Sequence, residues 1–430
     1  MDRARGASPA TQVLTIALVL AVCVAVAAAV QALPHASAGR PAFQVGVTHG
    51  EQSADGWNPT ASVERARTVL KAVAPLQNQS LMGWGALNPE PSPGTWDWSS
   101  LDARIQLITA TGARPVLTLC CAPDWMKGGP AGSTDWTRLG VAPTPDHYAD
   151  FARLAAAAAQ RYPQVRDFLV WNELKGFYDA ARDDWDVAAY TDLYNQVYRA
   201  VKRVRPDARI GGPYVVFDSW SSASTSSHPS TVHGPWGVLD QRPLDVVTYW
   251  LKHAVGADFI AVDAVTSTRD RGLITTDFAS VAKLAAVTHW VRSRTRLPIW
   301  WAEIYANASG ATGSADPRAA AVLTDALVTV AQAGASVALI WQPQESPNLR
   351  SPALFTSTAS TDGGRALPLV GMLDHLEGPL ADDPRSITMS TDRAGSRWSL
   401  ATAGSRISWS LTSGLSVQDT APGAPPQAVG

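Results

Sequence analysis

The chain has 430 residues, 46% of them hydrophobic and 17% charged, so it can bury a large core and is not a disordered or fibrous protein. The formal net charge is −2 and no lysine- or arginine-rich run appears, so nucleic acid is not an expected partner. Seventeen tryptophans are many for this length, and several stand beside Pro, Gly and Asp in predicted loops. Exposed indole rings suit the faces of sugar rings, which favours an oligo- or polysaccharide as partner.

The N-terminal segment has the pattern of an export signal. Arg3 and Arg5 precede an apolar run over residues 13–30, and the small residues Ala36–Ala38 follow. This pattern is typical of a cleaved signal peptide, although the run is also long enough for a membrane anchor. We predict that residues 1–39 are a signal peptide or an N-terminal membrane anchor, with cleavage after Ala38 slightly favoured. The rest of the chain is then expected to be extracellular or in the cell envelope.

Short apolar runs alternate with segments of helical period through most of the chain. Eight runs are predicted as strands, at residues 43–49, 76–84, 114–121, 167–173, 209–216, 258–265, 298–305 and 336–343. Residues 144–162, with Thr144 as N-cap, and residues 187–204 are among the predicted helices between them. Eight strand–helix units indicate an α/β fold, a (β/α)8 TIM barrel, over residues 40–380.

From about residue 387 the pattern changes, and apolar and polar residues alternate. Residues 386–391, 397–402 and 406–412 read as three short antiparallel strands. We predict a small β extension at residues 381–417 that packs on the barrel, and a disordered tail at residues 418–430.

The three cysteines do not form a disulfide framework, because Cys23 lies in the N-terminal apolar run. Cys120 and Cys121 are neighbours, and two buried thiols are favoured over a strained vicinal disulfide. No cluster of residues has the spacing of zinc ligands, so neither a metal nor another cofactor is expected.

Two of the seven glutamates in the chain end predicted strands: Glu173 ends the fourth and Glu303 the seventh. The carboxyl ends of barrel strands meet at one mouth, where barrel enzymes have their active sites. A single glutamate at a strand end is ordinarily a solvated boundary residue. Two such glutamates, one of them preceded by Trp-Asn, favour catalysis, because glycosidic bonds are hydrolysed between two carboxyl groups.

The motifs around these glutamates resemble those of clan A glycoside hydrolases. The matching segments are "WNE" at residues 171–173 and "WWAEIY" at residues 300–305, and residues 88–119 resemble the segment after strand two in glycoside hydrolase family 39. The resemblance extends over about residues 45–378. It implies that Glu173 is the acid/base, that Glu303 is the nucleophile and that Asn172 binds the substrate 2-hydroxyl. It also implies that Trp341, in "IWQP", is a platform for the sugar.

The sequence departs from the clan at two positions near the nucleophile. Many members carry an arginine in strand two, where Gln79 is the polar residue of this chain. Strand six usually supplies a histidine or tyrosine, and Asp263 stands there instead. A second carboxylate beside Glu303 would raise a pKa by like-charge repulsion. Asp263 is therefore either a substrate ligand or a sign of unusual specificity.

Other polar and aromatic residues are candidates for substrate contact. His49 ends the first strand and is either a sugar ligand or a structural histidine. Trp84, Trp125 and Trp301 are either stacking platforms or core residues. Alternation along strand seven places Trp301 on the same face as Glu303, which favours Trp301 as a site residue.

The sequence therefore predicts an exported retaining glycoside hydrolase that cleaves a β-linked glycan. Two forms of this activity stay open, one like a β-xylosidase and one that cuts an exopolysaccharide internally. The alternative is a non-catalytic carbohydrate-binding barrel of the cell envelope. Both glutamates are present, which favours the enzyme.

Overall fold

The computed structural model describes residues 42–50, 53–223, 228–346 and 351–419. The predicted signal segment at residues 1–39 and most of the predicted tail at residues 418–430 lie outside the described residues. Within the described ranges, no helix combines the length and the hydropathy that crossing a membrane requires.

Eight parallel strands close into a barrel in chain order, and the last strand pairs with the first. The strands are β1 (Gln44–Thr48), β2 (Leu76–Ser80), β3 (Arg114–Leu119), β4 (Asp167–Val170), β5 (Arg209–Val216), β6 (Phe259–Val265), β7 (Ile299–Tyr305) and β8 (Val337–Trp341). Each of them falls within one of the predicted runs. The predicted (β/α)8 barrel is therefore confirmed.

Helices follow the strands and cover the outside of the barrel. They are α1 (Thr60–Val73), α2 (Ser99–Ala110), α3 (Tyr148–Arg161), α4 (Val187–Val204), α5 (Gln241–His253), α6 (Ala282–Arg294), α7 (Pro317–Ala333), α8 (Pro368–Asp374) and α9 (Glu377–Asp382). Helix α7 has clear end signals: the Asp316 side chain accepts a hydrogen bond from the Arg318 N–H, and Gly334 ends the helix at a φ of 110°. Thr144 precedes a 3₁₀ turn, Pro145–His147, and its side chain makes no capping bond, so α3 begins later than predicted.

Shorter elements lie in the loops of the barrel and in the connection between α9 and the C-terminal sheet. They are the helix Asp277–Ser280, the 3₁₀ turns Asp124–Lys127, Trp136–Arg138 and Pro384–Ser386, and the short strands Tyr178–Asp179, Asp184–Trp185, Ser219–Trp220, Pro229–Gly234 and Gly237–Asp240.

The hydrophobic core has two layers. The larger layer fills the space between the barrel strands and the surrounding helices. The smaller one fills the barrel itself and consists of Leu76, Val116, Leu169, Tyr214, Phe259, Ala261, Trp300, Ala302, Val337 and Leu339. A barrel interior packed with side chains is a solid support, so a site can form only at its ends.

The C-terminal extension is an antiparallel sheet of four strands, β9 (Thr388–Thr391), β10 (Arg397–Ala401), β11 (Ser405–Ser410) and β12 (Gly414–Asp419). Trp398 is 2% exposed, stacks on Phe278, and donates a hydrogen bond from Nε1 to Asp325 Oδ1 of α7 at 2.9 Å. The extension thus packs on the barrel domain as expected. Its fourth strand, which the sequence did not predict, takes the sheet to Asp419, beyond the expected boundary at residue 417.

The neighbouring cysteines after β3 are joined by a disulfide between Cys120 and Cys121. Two separate thiols, the favoured interpretation of the sequence, are not what the structure contains. Both residues are fully buried.

Candidate active site

A strained turn presents Glu173 at the mouth of the barrel. Strand β4 ends at Val170, and Trp171, Glu173 and Leu174 then adopt left-handed backbone with φ of 68°, 51° and 50°. Such φ values are costly for residues other than glycine, and they cluster at functional sites. The Trp171 ring packs edge-on to Phe151 and Phe177 and donates from Nε1 to the Lys175 carbonyl at 2.7 Å. This anchorage stabilises the turn that carries Asn172 and Glu173.

A β-bulge in β7 orients Glu303. The register pairs Trp301 with Val262 and Glu303 with Asp263, so Ala302 has no residue opposite it on β6. An extra residue in one strand reverses the alternation of side chains beyond it. Ala302 belongs to the interior cluster, and Glu303 contacts Tyr214, another member of that cluster. Two consecutive side chains therefore face inward.

Three carboxyl groups meet at the mouth. One oxygen from each of Glu173, Asp263 and Glu303 lies within 4.8 Å of the other two. Asp263 and Glu303 are 2% and 4% exposed, whereas the Glu173 side chain is 18% exposed. Such proximity of buried acids makes it costly for all three to be charged at once. At least one of the three is therefore expected to carry a proton.

Two tyrosines hold the Glu303 carboxyl group. The Tyr214 hydroxyl donates to Oε1 and the Tyr305 hydroxyl donates to Oε2. Burial, together with the negative charge of Glu173, raises the pKa of Glu303 to about 7, although the two tyrosine bonds act to lower it. Burial also raises the pKa of each tyrosine above its usual range, so both hydroxyls keep the protons that they donate.

Lys175 connects the acid/base candidate to the aromatic residues of the mouth. Its Nζ forms an ion pair with Glu173 Oε2 and lies 5.3 Å from the centre of the Trp84 ring. Trp84 meets Trp341 edge-to-face, with ring centres 6.5 Å apart. Trp84, predicted as either a platform or a core residue, therefore lies beside the ion pair of Lys175 and Glu173, and Trp341, the predicted platform, packs on Trp84.

Asn172 is 4% exposed, and its side-chain Oδ1 has no hydrogen-bond partner among the described residues. A buried acceptor without a donor is costly unless a ligand supplies one. A substrate hydroxyl beside Glu173 would satisfy it.

Three predicted contact residues have structural roles instead. Trp301 is fully buried and donates from Nε1 to Thr288 of α6, because the bulge separates its face from that of Glu303, so its predicted contact with substrate is wrong. Trp125 is 8% exposed, donates to the Glu90 carbonyl and packs edge-on to His147, neither of which belongs to the carboxyl cluster.

His49 is the third of these residues. It is fully buried, and its ring nitrogens bond Ser53 Oγ and Gln77 Oε1, each at 2.9 Å. Burial, with a smaller effect from the positive charge of Arg104, lowers the pKa of His49 to about 3. Of the two interpretations, the structural histidine is the one that the geometry supports.

Gln79, which stands in strand two where many clan members carry an arginine, contacts an arginine from a helix instead. Arg104 of α2 donates from Nε to Gln79 Oε1 at 2.9 Å and from Nη1 to Asp55 Oδ1 at 2.6 Å. A guanidinium group therefore reaches strand two from a helix. Its side-chain partners among the described residues are Gln79, Ser53 and Asp55, and Glu303 is not among them.

Sequence reasoning missed Lys175, Tyr214 and Tyr305. Two of them carried a usable signal: Lys175 follows Glu173 by two residues, and Tyr305 follows Glu303 by two residues in one strand. Tyr214 carried none, because its inward position in β5 depends on a left-handed φ of 53°.

The carboxyl cluster is the one group among the described residues with the spacing of a metal site. Its oxygens already bond the Lys175 ammonium group and the hydroxyls of Tyr214 and Tyr305. These partners suit control of charge and protons better than coordination of an ion.

Fold and site together define a (β/α)8 barrel with paired glutamates at the carboxyl ends of β4 and β7. The fold is similar to that of a monomeric β-xylosidase from Caulobacter crescentus CB15, with a TM-score of 0.57 at 17% identity over 86% of this chain and 76% of that one. It is also similar to the GH39 enzyme from Xanthomonas axonopodis pv. citri, with a TM-score of 0.51 at 18% identity over 85% of this chain and 73% of that one.

In sequence, the chain is 28% identical over 136 residues to a β-xylosidase from Caldicellulosiruptor saccharolyticus, a match that spans 29% of this chain and 27% of that protein. No protein-family model matches the chain. The predicted resemblance to glycoside hydrolase family 39 is thus confirmed. At these levels of identity, the similarity establishes the shared barrel fold.

Proposed function

We propose that the protein is a retaining glycoside hydrolase that acts on a β-linked glycan. The observation that carries the proposal is the approach of Glu173 and Glu303 to within 4.8 Å at the mouth of the barrel. Carboxyl groups about 5–5.5 Å apart are typical of retaining enzymes, whereas inverting enzymes need about 6.5–9.5 Å to admit a water molecule. The spacing therefore supports double displacement.

In the first step, ionised Glu303 attacks the anomeric carbon. A bond forms between a carboxylate oxygen and that carbon while the bond to the leaving oxygen breaks, and Glu173 gives its proton to the leaving oxygen. The hydroxyls of Tyr214 and Tyr305 fix the attacking carboxylate in place. The product is a covalent glycosyl-enzyme.

In the second step, Glu173 is a carboxylate and takes a proton from water. The water oxygen attacks the anomeric carbon, and Glu303 leaves as a carboxylate. The buried Oδ1 of Asn172 has no partner in the described protein, which supports its role as acceptor for the substrate 2-hydroxyl. Each turnover thus returns both glutamates to their starting forms.

The substrate is proposed to be a β-xyloside or an exopolysaccharide. The similarity to proteins named β-xylosidases supports the first choice. Trp84 contacts Lys175, the ion-pair partner of Glu173, and Trp341 packs on Trp84, which supports stacking of a sugar ring near the site in either case. The N-terminal pattern supports export, with the enzyme acting outside the cytoplasm or in the envelope.

The test is product release from aryl β-glycosides and β-linked polysaccharides by residues 40–430. Glu173→Gln and Glu303→Gln are the test variants, and Glu377→Gln, an exposed glutamate of α9, is the matched control. We expect the two site variants to lose at least about 100-fold in kcat/KM and the control to match the wild type. Sugar binding without product release in the wild type would favour a non-catalytic carbohydrate-binding barrel instead.

A further inference from the structure

Asp263 is the third carboxyl group of the site, and the two-glutamate mechanism gives it no role. It lies in β6 directly opposite Glu303 of β7 and is 2% exposed. One oxygen of its carboxyl group lies within 4.8 Å of one oxygen each of Glu173 and Glu303. Two carboxyl groups this close repel each other when both are charged, and they can form a hydrogen bond only when one of them carries a proton. Asp263 and Glu173 therefore lie close enough to share one proton.

We propose that Asp263 is a positioning residue that stores this proton and supplies it to Glu173, the group that protonates the leaving oxygen. The inference rests on the proposed glycosidase function and assigns Asp263 a part in it. Asp263 then acts through Glu173, and it is not a ligand of the sugar.

The charged and titratable groups around Asp263 support this assignment. Burial raises the pKa of Asp263 well above its usual range, and the negative charges of Glu303 and Glu173 add to the effect, while Lys175 opposes it. Lys283 of α6 is buried and bonds the Ser267 carbonyl at 3.3 Å, and burial lowers its pKa to about 8. Tyr214 and Tyr305 direct their hydroxyls to Glu303. Burial and the neighbouring charges of Glu303 and Glu173 thus favour the neutral form of Asp263 before substrate reacts.

The charges balance through both steps. Before reaction, the pair of Asp263 and Glu173 holds one proton and one negative charge, and Glu303 carries a second negative charge. As Glu303 attacks, its carboxylate becomes part of a neutral ester and loses its negative charge, which weakens the repulsion that keeps the proton on Asp263. While the bond between the anomeric carbon and the leaving oxygen breaks, the proton passes to Glu173 and on to that oxygen, so that Asp263 and Glu173 are left with the two negative charges. The attacking water later replaces this proton.

The test compares wild type with Asp263→Asn, which keeps the shape of the side chain but has no carboxyl proton to share. Two xylosides are used, one with an activated aryl leaving group and one with an alkyl leaving group that requires an acid. We expect kcat/KM to fall by about 100-fold or more on the alkyl xyloside and by less than about 10-fold on the aryl one. We also expect the alkaline limb of the pH profile to move down by about one unit.

Equal losses on both xylosides with an unchanged pH profile would overturn the proposal, because a sugar ligand would give that result. A measurement that does not depend on activity distinguishes failure of the proposed role of Asp263 from failure of the proposed glycosidase function. The infrared band of protonated carboxyl groups near neutral pH should lose intensity in folded Asp263→Asn and Asp263→Ala relative to wild type. An unchanged band would refute proton storage at Asp263, whether or not the wild type hydrolyses a glycoside.

Discussion

Loss of the Tyr305 hydroxyl should shift the pH dependence of catalysis. In Tyr305→Phe, Oε2 of the buried Glu303 loses the donor that stabilises its negative charge. A hydrogen bond to a charged group contributes about 1.5–3 kcal/mol, and one pKa unit corresponds to about 1.4 kcal/mol. The pKa of Glu303, which is about 7 in the wild type, should therefore rise by about one to two units.

The sign follows from the role of Glu303, because only its ionised form attacks. Activity is present above the pKa and is lost as the pH falls through it, so the acid limb of kcat/KM should move to higher pH. At neutral pH the ionised fraction should fall by roughly 5- to 50-fold, with a matching loss of kcat/KM.

The assay is kcat/KM for an aryl β-xyloside across the pH range, for wild type and Tyr305→Phe. Tyr194→Phe is the control, since that hydroxyl donates to the Gly256 carbonyl at 2.9 Å and not to the site. Its acid limb should coincide with that of the wild type. An active Tyr305→Phe enzyme with an unmoved acid limb would refute the assignment of Glu303 as the ionised nucleophile held by this tyrosine.

Three further predictions concern buried groups. Burial raises the pKa of Asp325 to about 7, above its unfolded value, so its stabilising contribution is full in acid and is lost as the pH rises towards 7. In denaturation at alkaline pH, Asp325→Asn should raise the free energy of unfolding by up to roughly 4 kcal/mol. Trp301→Phe should lower the melting temperature through the lost bond to Thr288 and leave kcat/KM unchanged. Arg104→Met should lower the free energy of unfolding in urea by about 3–5 kcal/mol, because it leaves the Asp55 charge buried without its main partner.

The sequence predicts those parts of the fold that depend on local pattern. Strands and helices have periods of about two and 3.6 residues, so the eight barrel strands and α4 are readable from residue types alone. Glu173 and Glu303 are readable for the same reason, because each follows an apolar run directly. The barrel then brings the two strand ends together as its topology requires.

The sequence does not predict the orientation of a side chain where that orientation depends on pairing with strands that are distant in the chain. The bulge at Ala302 and Glu303 arises in the pairing of β7 with its neighbours β6 and β8, and it reverses the alternation that favoured Trp301. Tyr214 reaches Glu303 from 89 positions away in the chain, through an unusual backbone angle. Neither feature has a local signature.

The structural role of His49 and the last strand of the C-terminal sheet could not be predicted from the sequence for related reasons. His49 ends a barrel strand like a site residue, but Ser53 and Gln77 satisfy both ring nitrogens. The strand Gly414–Asp419 alternates poorly and gains its pairing only from β11. The sequence shows that a polar residue ends a barrel strand. It does not show whether other protein groups already bond that residue or whether it faces the substrate.

The central claim is that Glu303 forms a covalent bond to the sugar while Glu173 handles the proton. The most direct measurement is the mass of the protein after incubation with an activated 2-deoxy-2-fluoro β-xyloside, whose electron-poor ring slows release of the glycosyl group, followed by peptide mapping. We predict a stable mass increase of one fluorosugar, mapped to Glu303, in wild type and its absence in Glu303→Gln. An adduct on another residue, or hydrolysis that releases the inverted anomer first, would contradict the two-glutamate account.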